Sequence, residues 1–423
     1  MKMRPLFRAL VLLLLTLAPA ALASCGSSTT TSGETELSFW IRSSGSGYTK
    51  PLVDAYNKTH KTKIKLTLIP DANFVQKFGT AVAGGNAPDI VAVDLIYLPA
   101  FSQSNQMTDI TDMAHQLSFF NELSPSHVRL ATYNNRIYGL PYSAEGSILL
   151  YNKTLFKQAG LDPEKPPTNW AEIEAYAKKI TTLGNNTYGY YFAGRCAGCN
   201  AFTFLPLIWA SGGDVLSDDG KTPKMDSPAV KDAFSFYKKL WDEQLVPKGA
   251  KVDNGSESLN AFTTGKIGMV GSGAFAIGSL KKEHPNIDFG VSYLPGKDGG
   301  TSSFAGGDTI GIPRGSKHSA EAFDFIKWCL SDDVQIEQFA KNGSIPVRTD
   351  LATNKYSQLD PRYVVTSKAM AQGHTPYSVH YNQLFNDANG PWIGAIQHAV
   401  FDGKVDEALT TAQGRFTQIL AEK

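Results

Sequence analysis

The sequence predicts an α/β protein of two lobes. The 399 residues from Cys25 to Lys423 are more than one ordinary core organises. Their opening stretch also alternates strand and helix in βαβαβ order, which implies a parallel sheet with helices on both faces. "ELSFWIR" ending at Arg42 is a short apolar strand, and "YTKPLVDAYNKTH" is a helical stretch. "KIKLTLI", Lys63 to Ile69, alternates with period two. In "NFVQKFGTAVAGG", Phe74, Phe78, Ala81 and Val82 fall at helical spacing before Gly84-Gly85 stops the run. "PDIVAVD" is a third strand, nearly all apolar. In open sheets of this kind ligands sit beyond the carboxyl ends of the strands. Arg42-Ser43-Ser44-Gly45 and Asp94 occupy those places.

The middle of the chain supplies a second set of elements. "PPTNWAEIEAYAKKITTLG" places Asn169 as a helix cap, Glu172 three residues on, and Gly184 past the end. "DSPAVKDAFSFYKKLWDEQL" has Pro228 in its first turn. Helical patterns follow in "SAEAFDFIKWCLSDD" and in the terminal "KVDEALTTAQGRFTQIL". No repeat of 20 to 50 residues is present.

The N-terminus reads differently. Lys2, Arg4 and Arg8 precede an apolar run centred on Leu10 to Leu17. That is a signal-peptide pattern over residues 1–24, too short to span a membrane comfortably at about 20 residues. Leu22-Ala23-Ser24-Cys25 resembles a bacterial lipobox, which implies that Cys25 becomes the lipidated first residue. The alternative is an ordinary signal peptide cut beside an idle thiol. Residues 25–36 carry no large apolar side chain and read as a flexible tether. The expected location is the extracytoplasmic face of the cell membrane, held there by acyl chains.

Hydrophobic residues make up 42% of the chain and charged residues 19%, the proportions of a soluble globular protein. Loss of residues 1–24 removes Lys2, Arg4 and Arg8 and turns the formal charge from +1 to −2. Such a balance argues against nucleic acid and against a polybasic membrane patch. Three cysteines remain once Cys25 is set aside. Outside the cytoplasm "CAGC", Cys196 and Cys199, more often closes a small disulfide than a redox or metal site. Zinc would need two further soft ligands, and no His adjoins the pair. Cys329, in "AFDFIKWCLS", reads as a buried, inert thiol.

The order of segments resembles the extracellular solute-binding proteins of sugar-importing ABC transporters, the group of the maltose-binding protein. The resemblance rests on "LSFWIRSSG", "GGNAPDIVAVD", "RIYGLPYSAEGSILLYNKTLF", "PLIWASGGDVLSDDG", "FTTGKIGMVGSGAF" and "SFAGGDTIGIPRGSKHSAEAFDFIKWCLS", and runs over nearly all of residues 37–420. It implies a periplasmic-binding-protein fold, each lobe a mostly parallel sheet flanked by helices, with three crossings at a hinge. The lobes would be 37–144 plus 308–346 and 145–307 plus 347–423. Crossings would fall near Tyr142 to Glu145, Gly306 to Asp308, and Ser344 to Arg348. The implied function is capture of a di- or oligosaccharide for an ABC permease by a monomer, without catalysis, metal or cofactor.

A neutral sugar presents hydroxyls that donate and accept, and apolar C–H patches on its ring faces. Matching onto the family pattern assigns Ser43 or Ser44, Asp94, Glu145, Asn200, Phe202, Phe275 and Trp392 to the ligand. Asp308 and Arg348 are further polar candidates, and Gly306 and Gly307 would let backbone approach closely. Asp94 could instead cap the next segment, Phe202 and Phe275 taken without the family could as well be core residues, and Trp209 reads as core. Ser44 and Asn200 stand where the family carries acids, so a maltose-type network is not preserved. Two other readings compete. A lipid-anchored glycoside hydrolase would use Asp94 and Glu145 as paired carboxylates, although no G-x-S-x-G or H-E-x-x-H motif is present. A sensor lipoprotein would present the same cleft to a receptor.

Overall fold

The structure, a computed structural model, describes residues 35–422. The expected leader, the lipidation position Cys25 and nearly all of the tether lie outside that range. Eight strands form one continuous sheet: β1 Glu36–Arg42, β2 Lys63–Ile69, β3 Ile90–Asp94, β4 Leu140–Asn152, β5 Tyr188–Tyr191, β6 Ile267–Gly273, β7 Phe289–Ser292 and β8 Ala305–Gly311. Their order is β2-β1-β3-β8-β4-β6-β5, and β7 also pairs with β4.

The opening βαβαβ unit forms as its pattern requires. In β1, Leu37, Phe39 and Ile41 are fully buried while the alternate residues are partly or largely exposed. That alternation fixes the register, because a one-residue slip would turn all three to the other face. β2 and β3 flank β1 in parallel, with Phe39 opposite both Leu66 and Ile90. The remainder of the sheet is mixed. β8 runs antiparallel to β3 and β4, and β4 runs antiparallel to β6 and β7, while β5 and β6 are parallel. Neighbouring segments that carry the chain out of a lobe and back again run in opposite senses.

β4 is the long strand that serves both lobes. Its first part gives Leu140, Tyr142 and Ala144 to a core with Phe39, Phe325 and Ile326. Its second part, Ile148 to Tyr151, enters a separate core with Phe204, Phe234 and Met269. A third cluster, Phe74, Phe78, Val91 and Val93, covers the other face of the first lobe's sheet. Between the two parts of β4, Ala144 pairs with Gly307 on β8 and bridges to Ile345. Three segments distant in sequence therefore lie side by side at the boundary.

Local signals account for the helices. Asn169 accepts the Glu172 N–H at 2.9 Å and starts the helix Trp170–Thr181. Glu172 returns to the N–H of Thr168, at 2.7 Å, one residue before the cap. Helices Pro228–Asp242, Ser319–Cys329 and Val405–Leu420 form where the patterns place them. Cys196 and Cys199 are joined, and Cys196 Sγ accepts the Cys199 N–H at the start of the helix Ala197–Trp209. Cys329 is free and buried, which pushes its thiol pKa up. Among the described residues, no helix is long and apolar enough to cross a membrane.

Candidate functional site

The ends of β1 and β3 and the middle of β4 and β8 converge because of the sheet register. Asp308 pairs with Asp94 across one edge of β8 and with Ser143 across the other, and Gly306 pairs with Glu145. A cavity of about 410 Å³ opens there, between these strands and the second lobe's Phe202, Phe275, Tyr381 and Asn386.

The first-lobe wall is built on Arg42. Its Nη1 donates to Asp94 at 3.1 Å and its Nη2 to Asp308 at 2.7 Å. Asp308 is 1% exposed. It also accepts from the Tyr48 hydroxyl at 2.5 Å and the Ser143 hydroxyl at 3.2 Å. Burial works against the Arg42 charge, but the carboxylates of Asp308 and Asp94 outweigh it and raise the guanidinium pKa. Burial likewise pushes the Tyr48 phenol far up, with Asp308 adding to the effect. Burial raises Asp94 as well, against the pull of Arg42. Asp94 also accepts the Ile96 N–H at 3.3 Å, so it caps the following turn and lines the cavity at once.

Glu145 stands at the crossing itself. Burial pushes its carboxyl up to about 7, opposed by the N–H groups of Phe275 and Ala274. Its Oε2 is enclosed and has no hydrogen-bond partner among the described residues. An acceptor left unpaired in an otherwise enclosed site costs about 1–3 kcal/mol, which a ligand hydroxyl would recover. Phe275 is 55% exposed, unusual for an aromatic side chain. Phe202 faces the same space and packs on Phe304 with ring centroids 5.5 Å apart.

The structure brings Ser44, Asp94, Glu145, Phe202, Phe275, Gly306, Gly307 and Asp308 to one cavity. Four other expected residues are placed elsewhere. Ser43 is exposed and outside the lining. Asn200 is 1% exposed and donates to the carbonyls of Ala193 and Cys196, holding the turn of the disulfide helix. Trp392 is fully buried among Phe204, Phe234 and Phe385. Arg348 is outside the lining, paired with Asp332 and Asp350 and set over the ring of Phe119. Its segment stays with the first lobe: Arg348 bridges to Leu123 and Thr349 donates to Glu122.

Gly307 also has a different reason from the one expected. Its φ is +122°, and a Cβ would sit 2.0 Å from the Ser143 carbonyl oxygen. The close approach it permits is strand to strand. Sequence reasoning placed Arg42 at the end of the first strand without giving it a ligand role, and it passed over Tyr48, Ser143, Phe304, Tyr381 and Asn386. Arg42 and Tyr48 carried a signal, flanking the candidate serines after the first strand. Tyr381 and Asn386 carried none, since only folding brings them opposite Asp94.

A larger cavity, about 720 Å³, lies beside Arg129, Lys221, Tyr377 and His380. Its carboxylates Asp218, Asp219 and Glu422 are exposed, and Arg129 is already bonded to the Asp218 carbonyl. Convergent strand ends and an enclosed carboxylate oxygen without a partner distinguish the smaller cavity.

Residues 40–336 match the family described as bacterial extracellular solute-binding protein. The chain is 27% identical over 409 residues to the diacetylchitobiose binding protein DasA of Streptomyces coelicolor, covering 92% of this chain and 91% of that one. Among solved structures, it superposes on an ABC transporter solute binding protein from Thermotoga lettingae bound with α-D-tagatose, with a TM-score of 0.80 and 23% identity over 92% of this chain and all of that one. The sugar-binding protein MalE of Xanthomonas citri gives a TM-score of 0.81 at 20% identity, covering 92% and 98% of the two chains.

Proposed function

The chain belongs to the bacterial extracellular solute-binding proteins, and from that premise we propose that its cleft captures a small carbohydrate, a di- or oligosaccharide, for delivery to an ABC permease. The observation that carries this reading is the composition of the cavity. Hydroxyl-directed groups on Arg42, Asp94 and Glu145 face the rings of Phe202, Phe275 and Tyr381. Polar groups fix hydroxyls while aromatic faces cover the apolar side of a sugar ring. Diacetylchitobiose and tagatose, bound by proteins of similar sequence or fold, support the class.

Binding is favoured over hydrolysis by the state of the carboxylates. A glycosidase uses two carboxyl groups free to act on either side of a bond. Here Asp94 and Asp308 are both tied to Arg42, leaving Glu145 alone. We read the strip at Ala144, Gly307 and Ile345 as the hinge, with lobes 37–144 plus 308–346 and 145–307 completed by the C-terminal segment. The first lobe's last piece runs past the expected 346 to about Asp350, since Arg348 and Thr349 still pair with Leu123 and Glu122, and the C-terminal segment crosses after it. A lipid on Cys25 would hold the protein, as a monomer, at the outer face of the membrane.

Calorimetry of the chain from residue 26 onward with a sugar panel tests the function, with chromatography of the sugar recovered. Saturable binding and unaltered sugar are expected. Cleavage products would establish the hydrolase instead, and absence of binding across the panel would reject the carbohydrate reading.

A further inference from the structure

A second, mostly apolar chamber of about 320 Å³ lies behind the cleft wall. Phe202 and Phe275 line both spaces, so the chamber adjoins the cleft through this aromatic pair. Its interior is made by the buried Phe192, Ala193 and Val270, with the half-buried Leu259 at the rim. Three of its four hydroxyls are already engaged: Tyr191 and Ser258 donate to Asp253, and Thr203 donates to the Cys199 carbonyl. Two glycines let its wall pack closely. A Cβ on Gly271 would meet Thr203 at 2.7 Å, and one on Gly255 would meet the sulfur of Cys199 at 2.7 Å.

The engaged hydroxyls have no proton left to give, so the oxygens of a bare hexose would find only Ser272 to donate to them, at about 1–3 kcal/mol for each group left unpaired. An apolar group would lose nothing and bury its surface. Building on the carbohydrate reading, we propose that the chamber receives an apolar substituent of the bound sugar, an aryl or alkyl aglycone, which enters past Phe275. Phe275 is the exposed aromatic at the shared border, placed to lie against either ring. The specificity of the cleft is then for glycosides rather than for free oligosaccharides alone.

The test compares cellobiose, p-nitrophenyl β-cellobioside and diacetylchitobiose by calorimetry on the wild type and on Leu259→Trp, which fills the chamber from its rim. The aryl glycoside should bind the wild type roughly tenfold or more tighter than cellobiose, the gain from burying one ring. Leu259→Trp should bring that ratio near one. The ratio is read within one protein, so a variant that binds both sugars reports whether or not its overall affinity has changed. A ratio of one in the wild type, or a ratio untouched by Leu259→Trp, overturns the proposal. An advantage for diacetylchitobiose with none for the aryl glycoside would assign the chamber to an acetamido group and overturn it too. If none of the three sugars binds, and the wider panel also fails, the carbohydrate reading itself falls.

Discussion

Arg42 Nη2 donates to Asp308 Oδ1 at 2.7 Å, tying the first strand of the chain to the strand that returns 266 residues later. Asp308 is almost completely buried, whereas Arg42 keeps about a quarter of its side chain exposed. Removing the cation therefore strands a charge that water cannot reach. Arg42→Met should lower the unfolding free energy by about 3 kcal/mol, the low end for breaking a buried pair. Asp308→Asn should cost less, since Tyr48 and Ser143 still have an oxygen to bond. Urea unfolding of both variants gives the comparison, and equal small losses would show the pair to be merely superficial.

Glu145 should make ligand affinity depend on pH. Its carboxyl titrates near 7 because of burial, so below that pH it is protonated and a weaker acceptor. Affinity should rise with pH up to about 8, by up to about tenfold for each unit below 7. Glu145→Gln should flatten the profile, and Glu145→Ala should weaken binding by roughly 1.5–3 kcal/mol. A wild-type profile flat from pH 6 to 8 would show that Glu145 does not accept from the sugar.

The same group acts on stability with the opposite slope. A carboxyl raised from 4.5 to about 7 holds more protons folded than unfolded, so stability falls as pH rises between those values. His127 opposes it. Fully buried between the Ser124 hydroxyl and the Ser143 carbonyl, it is pushed down to about 4 by burial. Its contribution is present above 6.5 and is lost as pH falls toward 4. Glu145→Gln should therefore unmask a stability that climbs between pH 4.5 and 6.5, measured against the flatter wild type.

Phe275 should separate binding from folding. With more than half of its surface exposed, it contributes little to the core. Phe275→Ala should lower sugar affinity about tenfold or more while shifting unfolding by less than about 1 kcal/mol. Trp392, fully buried, should behave in reverse, with a loss of about 3 kcal/mol or more in stability on truncation to Ala.

Joining of Cys196 to Cys199 closes a very short loop, worth about 2 kcal/mol on chain entropy. Cys196→Ser with Cys199→Ser should lose no more than that in unfolding. It should also weaken binding modestly, because the turn it braces opens the helix carrying Phe202. Peptide mapping without reductant should find the pair joined and Cys329 free.

At the N-terminus, Cys25→Ala should release the protein from the membrane fraction, and mass analysis of the wild type should find acyl groups. Co-sedimentation of the variant with membranes would reject the anchor.

The sequence by itself determined the opening strands and helices and four of the later helices. β1 to β3 and the helices Trp170–Thr181 and Pro228–Asp242 follow from period, cap and stop signals, all local in origin. It also marked Glu145, because an acid between "GLPY" and "ILLY" has no packing reason to be there. What the tertiary structure alone decided was which residues face one another. Asn200 and Trp392 have the right chemistry for a sugar, but their helices turn them inward, one onto backbone carbonyls and the other into the second core. Arg348 finds nearer carboxylates in Asp332 and Asp350. Arg42 became the centre of the wall only because β8, arriving from far along the chain, sets Asp308 beside Asp94. Side-chain chemistry is written residue by residue, whereas a site is a set of long-range distances that the register of a mixed sheet fixes.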